Sequence, residues 1–411
     1  MEKKDYDVVR KSLQQRVVAG IDMTNTISDE QIMAVIDELI SQEALKYTIP
    51  LRMRMQLRKD IYDSLRKLDV IQQLVDDDEV TEIMVNGFDN IFYEKRGKIT
   101  RWDKKFESDD KYNDVIQQIV SRVNRAVNES SPIADARLED GSRVNVVLPP
   151  VAIDGAVLTI RKFPKNTITM EDMIENHSIS KEGARFLNDI VKARYNIFIS
   201  GGTSSGKTTL LNALAGYIQT DERIITIEDS AELQINNIPN LVRMEVKNAN
   251  TEGSKEITIR DLIKSSLRMR PDRIIIGEVR DEAALDLLSA CNTGHDGSIS
   301  TGHSNCAADM LIRLESMCLM GSNMPVVAIR RQIASAIDII IHLARMPDKT
   351  RKVLEISELV GMKGDSIILN PLFEYKDEDE NHNGKKGLVR TENRLVHCEK
   401  ILRAYGIKGE W

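Results

Sequence analysis

The chain has 411 residues, 41% of them hydrophobic and 29% charged, enough for two or three domains that each bury a core. A net charge of −7 with only 4% aromatics argues against a dedicated nucleic-acid binder, which more often carries a basic excess and stacking aromatics. The longest apolar runs, such as IDIII at 337–341, fall far short of the roughly 20 residues that span a bilayer. The start, MEKKDYDVVRKSL, has no apolar signal core, and the four cysteines (291, 306, 318 and 398) have no CxxC spacing. The expectation is a reduced, cytoplasmic protein without a transmembrane segment, which reaches a membrane only by docking onto another protein's anchor.

Residues 1–65 are polar and rich in helix formers. SDEQIMAVIDELISQEAL (28–45) sets Ser28 and Asp29 before apolar Ile32, Val35, Ile36 and Ile40, a capped amphipathic helix, and a second helical stretch follows Pro50. Residues 66–162 shift to short strands, TEIMVNG, NIFYEK and KITRWD, with turns at Gly87 and Arg96-Gly97. The helical stripe YNDVIQQIVSRVNRAV and the strands SRVNVVLPP and AVLTIRKF complete a small α+β domain. Residues 163–178 read as a proline-interrupted linker. Over 179–345, β-branched runs (NIFIS, RIITIE, RIIIGEV, GSIST, DIIIHL) alternate with helical patterns, which predicts an α/β domain with a mostly parallel sheet covered on both faces. Residues 346–411 form a C-terminal extension with a small hairpin and the charged loop KDEDENHNGKKG.

The stretch NIFISGGTSSGKTTLLNAL (196–214) matches G-x-x-x-x-G-K-[ST] between a strand and a helix, as a phosphate loop requires. Residues Gly201, Gly202, Thr203, Ser204, Ser205, Gly206, Lys207, Thr208 and Thr209 form the predicted nucleotide cradle. Glycines let backbone N–H groups turn onto phosphate, and the helix N-terminus adds its dipole. Lys207 is expected on the β- and γ-phosphates, Thr208 on Mg²⁺ and Thr209 near the α-phosphate.

Two further strands end in acid: RIITIEDSAEL in Glu228 and Asp229, and PDRIIIGEVR in Glu278. Strands of one parallel sheet deliver their C-terminal ends to one edge, where the two carboxylates are placed to orient water and support Mg²⁺. Glu278 follows a glycine where a Walker B strand usually ends in aspartate, so it would meet the metal either directly or through water. His295 and His303, eight residues apart, do not have the i, i+4 spacing of a helical metal pair; they are candidates for sensing the γ-phosphate or facing a neighbouring subunit. Arg268, Arg270 and Arg280 flank the Glu278 strand, and Arg137, Arg143, Arg161 and Lys162 sit in the smaller domain. A cation arriving there from another domain or subunit would couple hydrolysis to movement.

The set GGTSSGKTT, ITIEDSAELQI, SLRMRPDRIIIGEVR and TGHDGSISTGHS, with ESSPIADARLEDGSRVNVVLPP and TIRKF upstream, resembles the secretion ATPases of type II and type IV systems. It is most similar to the CpaF/TadA group that powers Tad (Flp) pilus assembly, across about residues 66 to 370. The resemblance implies a RecA-like P-loop core, ATP and Mg²⁺ as ligands, and a homohexamer docked on an inner-membrane platform protein. By motif, Lys207 and Thr208 would take phosphate and Mg²⁺, Glu228 would position or activate water, and Glu278 would be the Walker B acid. His295 and His303 would form the histidine box, and Arg161 and Arg143 would be the small-domain arginines nearest the phosphates. The box reads TGHSN where relatives often have THAN or IHAN, and the four-cysteine motif of many type II export ATPases is absent. Related type IV secretion and conjugation ATPases are the alternative, and a RecA-like nucleic-acid motor is the more distant one.

Overall fold

Capping chemistry fixes the first well-defined helix boundary. In the computed structural model, which describes residues 3–20, 27–122, 127–163, 167–247, 255–377 and 387–406, Ser28 caps Asp29–Lys46 by accepting from Gln31 N–H, while the Gln31 side chain accepts from Ser28 N–H. That capping box satisfies donors a helix start would otherwise leave open. Ile32, Ile36 and Ile40 of this helix bury against Leu13 and Val17 of Lys3–Gly20 and Leu57 and Ile61 of Leu51–Arg66.

The chain divides into two compact units, Met1–Lys165 and Asn166–Trp411. After the three helices, the first unit forms a six-stranded antiparallel sheet from β1 (Val80–Asn86), β2 (Ile91–Lys95), β3 (Lys98–Arg101), β4 (Ile133–Arg137), β5 (Arg143–Val147) and β6 (Val157–Arg161). The strand order is β3-β2-β1-β6-β5-β4. Alternation puts Ile83, Val85, Val144, Val146, Leu158 and Ile160 on one face, where Tyr112, Val115, Ile116 and Ile119 of the helix Asp109–Ser121 cover them. Residues 123–126, the continuation expected for that helical stripe, lie outside the described residues.

The second unit is a nine-stranded sheet: β7 (Ile197–Gly201), β8 (Ile224–Glu228), β9 (Leu241–Glu245), β10 (Arg273–Ile276), β11 (Ile299–His303), β12 (Ile339–Arg345), β13 (Arg351–Lys363), β14 (Ser366–Lys376) and β15 (Gly387–Arg390). Its order is β15-β14-β13-β12-β7-β11-β10-β8-β9, parallel from β12 to β9 and antiparallel from β12 outward to β15. The expected α/β architecture with a mostly parallel sheet is present. Continuous apolar runs serve both faces: Ile197, Ile199, Ile339 and Ile341 enter one core with the helices Lys181–Lys192 and Lys207–Ala215. Phe198, Ile274, Ile276 and Ile340 enter the other, with Ala283–Cys291, Ala307–Gly321 and Val326–Ala336.

Three stretches differ from the sequence reading. Within the expected linker, Met170–Glu175 is a helix capped by Thr169, and Met170 and Met173 bury in the first of those cores. The hairpin β13–β14 of the expected extension continues the main sheet through β12, because Val353, Ile356 and Phe373 have the same core to join. LVRME forms the edge strand β9, whose half-exposed, charged pattern carries no burial signal. Residues 378–386 of the charged loop lie outside the described residues.

Arg273, at the start of β10, is fully buried and pairs bidentately with Glu222, Nε to Oε2 at 2.7 Å and Nη2 to Oε1 at 2.8 Å, while Nη1 donates to Val191 O at 2.8 Å. Removing one partner strands the other's charge in the interior. Glu222→Ala is expected to cost about 3–5 kcal/mol of stability, read from denaturant unfolding. Arg194→Ala, which removes Glu222's half-exposed second partner and the bond from Arg194 to Asp272 O but strands no buried charge, should cost clearly less.

Candidate active site

Parallel pairing places Gly201, the last residue of β7, opposite both His303 of β11 and Leu343 of β12. No side chain fits at Gly201: a Cβ would lie 2.4 Å from Leu343 O and 2.6 Å from Ser205 Oγ. Gly206, at φ +99°, caps the helix Lys207–Ala215 in the left-handed region without a capping side chain. The first N–H groups of that helix therefore open toward the loop, a ready anion site. Lys207 is buried, and its Nζ donates to Gly201 O at 3.1 Å and Gly202 O at 2.9 Å, with His303 Nδ1 at 3.2 Å. Burial pulls the ammonium pKa down, opposed by the Glu278 charge.

An ammonium can only donate, so His303 Nδ1 accepts from Lys207 and the imidazole proton sits on Nε2. Burial, and next the Lys207 charge, hold the His303 pKa below its ordinary value, which keeps the ring neutral. Nε2 lies 2.9 Å from Glu278 Oε1, within ion-pair reach but out of line, so Oε1 is left without a hydrogen-bond partner among the described residues. Glu278 Oε2 accepts from Arg280 Nη2 at 2.8 Å, and Arg280 Nη1 stands 3.7 Å from Asp229 Oδ2. Thr301 of β11 ties this turn down: its Oγ1 donates to Gly277 O at 2.7 Å and its carbonyl accepts from Val279 N.

Glu228, the last residue of β8, is buried beside Gly277, where a Cβ would come within 3.0 Å of its Cγ. Its Oε1 accepts from Glu232 N at 2.7 Å and Leu233 N at 2.8 Å, while Oε2 is buried without a hydrogen-bond partner among the described residues. Burial raises the carboxyl pKa against those two N–H bonds. Unpartnered Oε2 of Glu228, Oε1 of Glu278 and Oγ of Ser205 are hard oxygen donors around an anion cradle. They fit a magnesium–polyphosphate. Among the described residues no group of three His, Cys, Asp or Glu makes a self-sufficient metal site.

The structure gathers Lys207, Glu228, Glu278 and His303 at one sheet edge. His295 is elsewhere: it lies before β11, a strand that advances about 13 Å from Ile299 to His303, and its Nδ1 lies 3.2 Å from Ala290 O at the opposite edge. A strand intervenes, so the two histidines do not form one box within a chain. Arg268 and Arg270 precede β10 at that same opposite edge and are exposed. In the first unit, Arg137, Arg143 and Arg161 stand in one cross-strand row on β4, β5 and β6, with Glu82 of β1 next. Two features escaped the sequence reading because their partners are remote. Buried His342 of β12 meets Ser200 Oγ at 2.9 Å beneath the loop, and Arg351 of β13 reaches the loop from outside. Only the β7–β12–β13 pairing brings them there.

A mostly parallel α/β sheet with a glycine-rich loop between β7 and a helix N-terminus defines a P-loop nucleotide-binding domain. The chain belongs to the family described as type II/IV secretion system protein, whose model matches residues 64–403. A putative conjugal transfer protein of Mycobacterium tuberculosis is 33% identical over 301 residues, covering 72% of this chain and 85% of the relative. The conjugal transfer protein TrbB of Rhizobium radiobacter is 34% identical over 319 residues, covering 76% and 93%. The X-ray structure of the Legionella pneumophila ATPase DotB shares the fold with a TM-score of 0.51 at 22% identity, covering 71% of this chain and 79% of that one.

Because burial raises the Glu228 pKa, the folded chain holds that proton more tightly than the unfolded chain. This stabilisation is full below the ordinary value of 4.5 and is lost as pH rises through the raised folded pKa. Glu228→Gln keeps an oxygen for the Glu232 and Leu233 N–H groups but cannot ionise. Its melting temperature relative to the unsubstituted protein should therefore climb as pH rises above 4.5; a pH-independent difference would contradict the burial account.

Proposed function

We propose that the protein is a secretion ATPase that cleaves ATP at the Lys207–Glu228–Glu278–His303 edge and converts the cleavage into motion between its two units. The observation that carries the reading is Glu228: a buried carboxylate with one oxygen bound to two N–H groups and the other unpartnered, beside a formed phosphate loop. In this reading Lys207 leaves its loop carbonyls for the β- and γ-phosphates, with Gly201–Thr209 as the cradle. Thr208 holds Mg²⁺, with Glu278 next to it directly or through water; the ion would offset phosphate charge. Glu228 Oε2 takes the attacking water. Glu228 is held by backbone N–H groups with Oε2 left over among the described residues, whereas Glu278 already accepts from Arg280, so the activating role falls to Glu228 and the metal side to Glu278. His303 relays between Lys207 and Glu278, where it would register loss of the γ-phosphate. Arg143 and Arg161 are the candidates for a cation supplied from the smaller unit, from the same or a neighbouring subunit.

Relatives at 33 and 34% identity carry conjugal transfer names, which favours a type IV secretion or conjugation role as the specific function. The Tad pilus assembly role is kept as the second reading on its motif resemblance. Family membership supports work as a homohexamer at the cytoplasmic face of a membrane platform protein; among the described residues no helix is long and apolar enough to cross a membrane.

Lys207→Ala should lower turnover by about 10²–10³ or more, while Glu228→Gln binds ATP with near-normal affinity and does not hydrolyse it. EDTA should silence the unsubstituted enzyme. Full turnover in either variant would remove the mechanism. Light scattering with and without nucleotide tests the ring, and turnover stimulated by DNA would instead favour a nucleic-acid motor.

A further inference from the structure

Arg351 opens β13, beyond the turn that follows β12, 147 residues from the loop residue it touches. Its Nε donates to Ser204 O at 3.0 Å. Its stem lies over Gly206: a Cβ there would meet Arg351 Cδ at 3.3 Å, Arg351 Cβ at 3.9 Å and Leu343 Cδ2 at 4.0 Å. Leu343 in turn presses its carbonyl on Gly201. The β12–β13 hairpin thus contacts the phosphate loop at its first glycine, its last glycine and the serine between them.

Ser204 has φ +58°, a left-handed conformation that is unfavourable for a non-glycine residue. Such a conformation persists only where the surroundings over-determine it. The bond from Arg351 does this by holding the Ser204 carbonyl toward the hairpin. In a trans peptide the C=O and the next N–H point in opposite directions. Drawing Ser204 O outward therefore aims Ser205 N–H at the loop interior, where it makes a long hydrogen bond, 3.4 Å to Gly202 O. That N–H is in place for a phosphate oxygen.

We propose that Arg351 is a positioning residue for the phosphate loop: through Ser204 O it holds the loop in its anion-accepting form, so that the β12–β13 hairpin sets nucleotide affinity. The inference rests on the nucleotide reading above and adds to it a residue far outside the motif. No contact between Arg351 and the nucleotide is required.

The test uses full-length Arg351→Met, which keeps the stem over Gly206 and removes the donors, and Arg351→Lys, which keeps one cationic donor. With Arg351→Met, KM for ATP and the Kd of a fluorescent ATP analogue should rise about tenfold, as for one lost charge-assisted hydrogen bond. The kcat should change less than about threefold, because the catalytic acids are untouched. Arg351→Lys should recover part of the affinity. Adding Ser204→Gly to Arg351→Met should recover most of it, since glycine adopts the left-handed conformation without help; a merely structural role for the hairpin would gain nothing from that change. Unaltered affinity in Arg351→Met, or a loss that Ser204→Gly leaves in place, overturns the proposal. Lys207→Ala in the same binding assay separates the two readings: if it too binds normally, the nucleotide reading falls, and if only Arg351→Met does, this inference alone falls.

Discussion

Everything at the site depends on the register of β7 between β11 and β12. Gly201 lies opposite His303 on one side and Leu343 on the other, so the phosphate loop, the histidine that touches Lys207 and the hairpin that supports the loop share one edge. A one-residue slip would invert which side chains of β7 enter which core. The isoleucines at 197, 199, 339 and 341 on one face, and Phe198 and Ile340 on the other, make such a slip costly. Burial on both faces thus fixes the chemistry at the end of the strand.

The electrostatics of that edge are poised. Lys207 is buried and held by two carbonyls and a neutral imidazole. The two acids are treated differently: Glu278 keeps company with Arg280 and His303, whereas Glu228 is buried and its Oε1 is held by the backbone N–H groups of Glu232 and Leu233, with the Arg243 charge acting from further off. Two carboxylates with unequal surroundings can divide two tasks. Sequence shows that both are glutamates at strand ends. It does not show that Arg280 donates to Glu278 while backbone N–H groups hold Glu228.

Much of the second unit was legible in advance. Apolar β-branched runs alternating with helical stripes named the parallel sheet, and the glycine pattern around Lys207 named the loop, because both signals are local. The edge strand β9 and the helix at Met170–Glu175 were not legible. The first is too polar, and the second is too short to show a period. The hairpin β13–β14 was visible as a hairpin, but its partner β12 was not, since pairing is a long-range choice.

From sequence alone followed the loop, its lysine and threonine, the acids Glu228 and Glu278, and a second unit carrying arginines. These rest on contiguous motifs whose geometry is set by the backbone of a few residues. Tertiary structure alone decided that His303 and not His295 joins them, that Arg137 stands in one row with Arg143 and Arg161, and that Arg351 holds Ser204. Each of those contacts is fixed by which strand lies beside which, and strand order is chosen by the packing of two whole faces rather than by any stretch of neighbouring residues.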